Sequence, residues 1–236
     1  MRIPVFALAL AFAASTSSPA AVPDAMELVR LTASHYVALV GNSYDFDVTE
    51  VHDSASRHTE MHHHVVGAGG RYREEMRESG TLYVFDGYKD WVYHPPTHEY
   101  RVTPSPVRAR IAATLSHFEL ISFRSTSARL LRTEPLRLAA GPVACQVIEV
   151  EYEPSDAKVR YSPLTLWIDP ARQLVMKMVR RVTTDGSDPA GKNATTESYT
   201  FTRAEVGGPV SADLLSFTPP EGAVRVDKID FAAPAK

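Results

Sequence analysis

Three histidines and a glutamate occupy alternate positions of one short segment, His58, Glu60, His62 and His64. Side chains two residues apart on a strand share a face, so an extended backbone would place all four together. Imidazole and carboxylate groups bind zinc or copper, which makes a metal-dependent secreted enzyme one hypothesis. We favour the alternative, a polar outer strand face with Met61 turned inward, because no partner that would orient the rings is identifiable. The sequence therefore predicts no metal and no cofactor.

Other residues with chemical potential also fit structural roles better. Asp45 and Asp47 alternate with apolar residues, which predicts a solvent-facing pair rather than a general acid and base. The single cysteine, Cys145, lies in the apolar run 142–150 and is expected to be a small buried hydrophobe rather than a reactive thiolate. No nucleophile-elbow pattern places a serine beside a histidine. We therefore predict a protein that is not an enzyme.

The first 21 residues have the order of an export signal. A positive start is followed by an apolar run of about 12 residues, which is shorter than the ~20 that a membrane-spanning helix needs. Small residues then provide a cleavage site, and no cysteine is present there to carry an acyl anchor. We expect cleavage near residue 21 and a single domain, residues 22–236, in the periplasm or outside the cell.

The charge balance is mildly acidic. The chain of 236 residues has 25 Lys and Arg against 28 Asp and Glu, a formal net charge of −3. This composition gives no broad attraction for nucleic acid or for anionic lipid, so we predict no nucleic-acid partner.

The remaining pattern predicts one helix followed mainly by strands. Asp24 to Val40 has apolar residues at three- and four-residue steps, with Asp24 as a cap. Short alternating runs separated by glycine-containing turns then predict a meander of antiparallel hairpins. The expected fold is α+β, a curved and half-open antiparallel barrel of about ten strands with helices covering its concave face.

One helical segment interrupts the strands. The run Pro104-Ser105-Pro106 supplies a cap and a first-turn proline, and Val107, Ile111 and Leu115 follow at four-residue spacing. This predicts a helix that begins near Pro106. It is either an ordinary helix packed on the sheet or a lid over an apolar cavity, and the sequence leaves both interpretations open.

Several segments resemble the family of the periplasmic lipoprotein carrier LolA. The hairpin Leu82-Tyr83-Val84-Phe85-Asp86-Gly87, continued by Trp91-Val92-Tyr93 and Pro95, is similar to a hairpin motif of that family. The ending Phe217-Thr218-Pro219-Pro220-Glu221-Gly222 resembles its C-terminal motif. The resemblance covers most of residues 24–231 and implies a curved sheet closed by helices around an apolar cavity.

The resemblance also implies a function class. The family includes carriers that sort lipoproteins to the outer membrane, lipid-binding lipoproteins and RseB-like stress sensors that bind a partner protein. The implied ligand is a lipid or the acyl chains of a lipoprotein, with a membrane-bound donor or acceptor protein as a further partner. The carriers hold their lid with an arginine on an early strand, whereas this chain has the turn Gly67 to Gly70 at the corresponding place.

An acyl site needs only apolar walls and a movable cover, because each buried methylene contributes ~0.8 kcal/mol. Flexible methionines suit an irregular ligand, and each candidate wall residue has an alternative role in an ordinary core. The candidates for the cavity walls are Tyr83, Phe85, Trp91, Tyr93, Ile111, Leu115, Phe118, Met176 and Met178. The sequence does not identify the ligand, the concave strand face or the oligomeric state.

Overall fold

The structure of the protein is a computed structural model that describes residues 24–153, 160–161, 163–183 and 194–231. The predicted export signal, residues 1–21, lies outside the described residues, as does most of the loop predicted from 185 to 194. Within the described ranges, no helix combines the length and the apolar composition needed to cross a membrane.

The described residues form two α-helices and thirteen strands, with two short 3₁₀ turns at Pro95–Thr97 and Ala212–Leu215. In chain order the helices and strands are α1 (Ala25–Leu39), β1 (Tyr44–Asp53), β2 (His58–Ala68), β3 (Arg71–Met76), β4 (Thr81–Phe85), β5 (Lys89–His94), β6 (Glu99–Pro104), α2 (Ala113–Arg124), β7 (Ser125–Leu138), β8 (Gly141–Tyr152), β9 (Arg160–Tyr161), β10 (Leu164–Asp169), β11 (Leu174–Thr183), β12 (Ala194–Val206) and β13 (Val224–Arg225).

All the strands belong to one sheet with the order β13-β6-β5-β4-β3-β2-β1-β12-β11-β10-β8-β7, and β9 pairs with β11 off this path. The pairs are antiparallel except for β13, which lies parallel to β6. In the described part of the chain the end strands β13 and β7 do not pair with each other, so the sheet is open. The predicted antiparallel meander is confirmed in β1 to β6.

The predicted count of about ten strands is not confirmed, because the described residues form thirteen. Two of the thirteen strands, β9 and β13, contain two residues each. A two-residue strand is too short to show a period-two alternation, and it is defined only by the neighbour with which it pairs.

Helix α1 agrees with the prediction within one residue at each end. Asp24 accepts a hydrogen bond at 2.8 Å from the backbone N–H of Glu27, which satisfies one of the free donors of the first turn. Leu28, Val29 and Tyr36 are buried at helical spacing and face the sheet. The apolar stripe therefore determines how the helix packs.

Helix α2 begins at Ala113, about two turns later than the predicted start near Pro106. The backbone N–H of Arg110 donates to the carbonyl of Gly70 at 2.8 Å, and that of Ala112 donates to the hydroxyl of Tyr44 at 3.3 Å. These N–H groups bind the sheet instead of a helical turn. Residues 105–112 are therefore a connection attached to the β2–β3 turn and to the start of β1, and Val107 is 41 % exposed.

Strand β1 shows why the sheet has one apolar face. Tyr44, Phe46 and Val48 are buried, and Asp45 and Asp47 alternate with them on the other face. Arg203 makes ion pairs with both aspartates, so they belong to a charged outer cluster and not to a catalytic pair.

Candidate ligand-binding face

Aromatic rings join both helices to the apolar face of the sheet. The ring centroids of Tyr36 on α1 and Phe118 on α2 are 5.1 Å apart, and those of Phe118 and Phe201 are 5.4 Å apart. Phe201 in turn meets Phe46 edge-on at 5.5 Å. The Tyr36 hydroxyl donates to the Val175 carbonyl at 3.3 Å. Both helices therefore pack on the face that carries Phe46 and Phe201.

Most of the predicted wall residues lie at this junction. Six are buried members of the core that the helices share with the sheet: Phe85, Ile111, Leu115, Phe118, Met176 and Met178. Tyr83 is partly buried and packs against the same core. The structure thus brings seven of the nine candidates to one face, where they contact each other and the helices.

Trp91 and Tyr93 lie on the opposite face of the hairpin. Tyr83 is directly across from Val92 in the β4–β5 register, and opposed residues share a face of the sheet. Trp91 and Tyr93 flank Val92 on the same strand, so their side chains lie on the other face. There the two rings contact Phe217 of the C-terminal segment, at centroid distances of 5.7 and 5.6 Å. Their neighbours are the chain's own tail rather than the helices.

A buried polar network lies on the helix side of the sheet, next to these apolar residues. The Nδ1 atom of His63 lies 3.0 Å from Oε1 of Glu74, and its Nε2 atom lies 3.1 Å from Oε2 of Glu50. Glu50 also accepts a hydrogen bond from the Tyr199 hydroxyl at 2.8 Å and lies 2.5 Å from Nε2 of His52. One imidazole therefore bridges two carboxylates in the interior.

The electrostatics of this network favour its charged forms. Burial alone would lower the pKa of His63, but the contacts with Glu50 and Glu74 outweigh it and raise that pKa to about 9. Burial would raise the pKa of Glu50, but the contacts with His63, His52 and Tyr199 lower it to about 2. At neutral pH, His63 is therefore an imidazolium held between carboxylates.

Helix α2 is attached to the sheet through this network and through the connection before it. The Thr114 hydroxyl donates to Glu74, next to the His63 contact. The Arg110 guanidinium donates to Asp90 at 3.0 Å and to Ser105 at 3.0 Å, and it lies over the ring of Phe85. These polar contacts fix the start of α2, whereas Leu115 and Phe118 supply its apolar contacts.

Two cavities lie along β1 and β2, and the second includes the outer-face residues Asp47 and His62. One of about 350 Å³ is lined by His52, Ser54, Arg57, Thr59, Met61 and Thr195. A second of about 240 Å³ is lined by Asp47, Val48, His62, His63, Arg77 and Thr202. Neither lining includes any of the nine predicted wall residues.

The alternating histidines lie on the outer face of β2, as predicted. His58 pairs with Asp53, His62 with Glu78 and His64 with Asp45, at 2.5, 2.6 and 3.0 Å. His58 and His62 also share a contact with Glu60, at 3.8 and 3.1 Å. Among the described residues, no group of three or more histidine, cysteine or acidic side chains could hold a metal ion.

Cys145 is fully buried, and burial raises the pKa of its thiol to about 11. The thiol is therefore protonated at neutral pH, which agrees with its predicted role as a small hydrophobe.

Neither a protein-family model nor a curated protein sequence matches this chain. Among solved structures, an uncharacterized conserved protein from Thermus thermophilus is 14 % identical, with a TM-score of 0.47 over 83 % of this chain and 98 % of that one. A structure of the Pseudomonas aeruginosa MucA/MucB complex is 19 % identical, with a TM-score of 0.42 over 82 % of this chain and 60 % of that one. A LolA superfamily protein from Nitrosomonas europaea is 12 % identical, with a TM-score of 0.36 over 83 % of this chain and 99 % of that one. The structural neighbours of this chain include the LolA superfamily.

Sequence analysis missed His63, Glu50 and Glu74, although the signal was present. Period-two alternation places His63 on the same face as Met61 and Val65, and it places Glu74 between Tyr72 and Met76. A histidine and a glutamate on the apolar faces of adjacent strands are expected to pair, because a lone buried charge is costly.

Proposed function

We propose that this chain is a non-catalytic periplasmic binding protein that holds a lipid, or the acyl chains of a lipoprotein, between the sheet and α2. In this proposal residues 1–21 are a cleaved export signal and residues 22–236 form one domain. The observation that supports the proposal is the packing of α2, whose Phe118 ring contacts Phe201 on the apolar face of the sheet.

The apolar contacts of α2 could be replaced by hydrocarbon. Leu115 and Phe118 on the helix meet sheet residues such as Phe201, so moving the helix away would expose a continuous apolar surface. An acyl chain would cover that surface again, and each buried methylene stabilises the complex by ~0.8 kcal/mol. Met176 and Met178 on the sheet have flexible side chains that adapt to an irregular ligand.

In this proposal the described position of α2 is the closed one, with Phe118 packed on Phe201 of the sheet. The cavities described above are not lined by the predicted wall residues, so in this proposal room for an acyl chain arises from movement of α2. Binding then shifts the population from a closed state towards an open state that the ligand stabilises. The Thr114 hydroxyl bond to Glu74 favours the closed state.

The first test is native mass spectrometry of protein purified gently from a periplasmic extract. We expect a co-purifying acyl species, and we expect delipidated protein to take up a fluorescent long-chain fatty acid or a lipopeptide. Comparing the two probes separates a lipid carrier from a lipoprotein carrier. Protein that is empty and takes up neither probe would falsify the proposal, whether or not it captures a membrane-bound regulator.

A matched pair of variants on α2 tests the lid. Thr114→Val keeps the side-chain shape but removes the hydroxyl that contacts Glu74, so uptake of the fatty-acid probe should become faster. Ser116→Ala removes a hydroxyl that donates at 2.7 Å to the Ala113 carbonyl within the helix, so it should leave uptake unchanged. Equal rates for Thr114→Val and the wild type would show that α2 does not gate entry.

A further inference from the structure

Three connections meet at one end of the sheet, beside the start of α2. They are the β2–β3 turn at Gly70, the β4–β5 turn at Gly87 and the connection 105–112. A Cβ atom on Gly70 would lie 2.4 Å from Cβ of Ala109, and one on Gly87 would lie 3.9 Å from the carbonyl oxygen of Arg108. The N–H of Ser105 donates to the Tyr88 carbonyl at 2.8 Å. These contacts hold the three connections together as one surface.

This surface exposes apolar side chains. Tyr88 is 66 % exposed and Val107 is 41 % exposed, although both belong to residue types that are usually covered. The Arg108 guanidinium lies over the Tyr88 ring, 4.9 Å from its centroid, so a cation and an aromatic ring are presented side by side. Aromatic and basic side chains of this kind are the common anchors of proteins at a membrane–water interface.

The surface also carries positive charge that no carboxylate neutralises by contact. Within the described residues, Arg71, Lys89 and Arg108 make no ion pair, and Arg71 lies beside Gly87. Of the two nearby carboxylates, Asp90 pairs with Arg110 at 3.0 Å. Asp86 accepts hydrogen bonds from two backbone N–H groups of its own turn and from the Trp91 indole, each at 2.8 Å, and its single negative charge is outnumbered by Arg71, Lys89 and Arg108.

We propose that the surface formed by Arg71, Tyr88, Lys89, Val107 and Arg108, called here the basic tip, docks on membranes that contain anionic lipids. Charge complementarity selects this partner, because the chain as a whole has a net charge of −3 and only a local cluster of cations can attract an anionic surface. Tyr88 and Val107 then enter the headgroup region. The proposal concerns attachment to the bilayer and does not depend on an internal ligand.

The test is co-sedimentation of the mature chain with lipid vesicles. We expect binding to vesicles that contain phosphatidylglycerol, weaker binding in high salt, and little binding to phosphatidylcholine alone, since salt screens the attraction. Arg108→Glu should reduce partitioning into anionic vesicles on the order of tenfold, because it changes the local charge by two units. Absence of binding to the anionic vesicles would overturn the proposal.

Arg57→Glu is the matched control. Arg57 is exposed and makes no ion pair within the described residues, and it lies in the β1–β2 turn at the far end of β1, about 30 Å from the basic tip by strand length. It should bind like the wild type, and an equal loss in both variants would overturn the proposal by showing a general charge effect. In addition, Tyr88→Trp should show a blue shift of its fluorescence on anionic vesicles, and an unchanged spectrum would contradict docking through this tip.

Discussion

The Nδ1 atom of His63 on β2 lies 3.0 Å from the Oε1 atom of Glu74 on the neighbouring strand β3. Both side chains are more than nine-tenths buried, and Glu50 on β1 contacts the other imidazole nitrogen. The three strands are therefore joined by ion pairs across the face on which the helices pack. Because Thr114 also contacts Glu74, the same carboxylate links the sheet to α2.

Replacing the imidazole should expose how strongly this network stabilises the fold. His63→Leu leaves two buried carboxylates without their shared cation, which should reduce the free energy of unfolding by about 3 kcal/mol in urea denaturation. His62→Leu is the control, since the adjacent His62 side chain is 46 % exposed on the other face and its ion pairs are worth less than about 1 kcal/mol. Similar losses in the two variants would contradict a buried role for His63.

The raised pKa of His63 predicts a loss of stability at alkaline pH. The pKa is about 9 in the folded chain against 6.5 for a free histidine, so the folded state holds the proton more tightly. The stabilisation is complete below pH 6.5 and is lost as the pH rises through 9, by up to about 3 kcal/mol. Unfolding free energies measured across this range should fall in the wild type and much less in His63→Gln. A flat wild-type profile would refute the assignment.

The lowered pKa of Glu50 predicts the opposite behaviour in acid. Its pKa is about 2 in the folded chain against 4.5 when free, so its contribution is present above pH 4.5 and disappears as the pH falls through 2. Glu50→Gln should therefore lose less stability than the wild type between those pH values in the same unfolding measurements. If both lose stability equally, other carboxylates are responsible.

The strands and α1 could be predicted because their signals are local. Apolar and polar residues alternate from Tyr44 to Val48, which predicts strand β1 from neighbouring residues alone. The Asp24 side chain likewise marks the start of α1 by accepting a hydrogen bond three residues away. The start of α2 could not be predicted, because the N–H groups of Arg110 and Ala112 bind the distant residues Gly70 and Tyr44. Tertiary hydrogen bonds there override a local helix signal.

The location of the candidate wall residues could be predicted only in part. Seven of them belong to or pack against the core beneath the helices, as their apolar character suggests. The separation of Trp91 and Tyr93 from Tyr83 depends on the register of the β4–β5 hairpin, which puts Val92 across from Tyr83. Their contacts with Phe217 join positions more than a hundred residues apart, which no local pattern encodes.

Gly70 should be essential for attaching the connection 105–112. It has φ of +76°, and a Cβ atom there would lie 2.4 Å from Cβ of Ala109, so Gly70→Ala must displace the connection. Gly69→Ala is the control, because φ is +57° but no atom lies within 4 Å, which leaves only a backbone cost of about 1–2 kcal/mol. We expect faster tryptic cleavage after Arg108 in Gly70→Ala than in Gly69→Ala. Equal cleavage would show that the contact with Ala109 is unimportant.

Phe217 should strengthen the attachment of the C-terminal segment, which also pairs with the sheet through β13. Its ring lies between Trp91 and Tyr93, so Phe217→Ala removes an aromatic contact with each and should lower the free energy of unfolding by about 1–3 kcal/mol. Water would then reach the indole of Trp91 and shift its fluorescence to the red. Phe231→Ala is the control, because that ring is 54 % exposed and contacts only His94 among the described aromatic rings. A red shift as large in Phe231→Ala would mean that the whole segment detaches, rather than that Phe217 alone covers the indole.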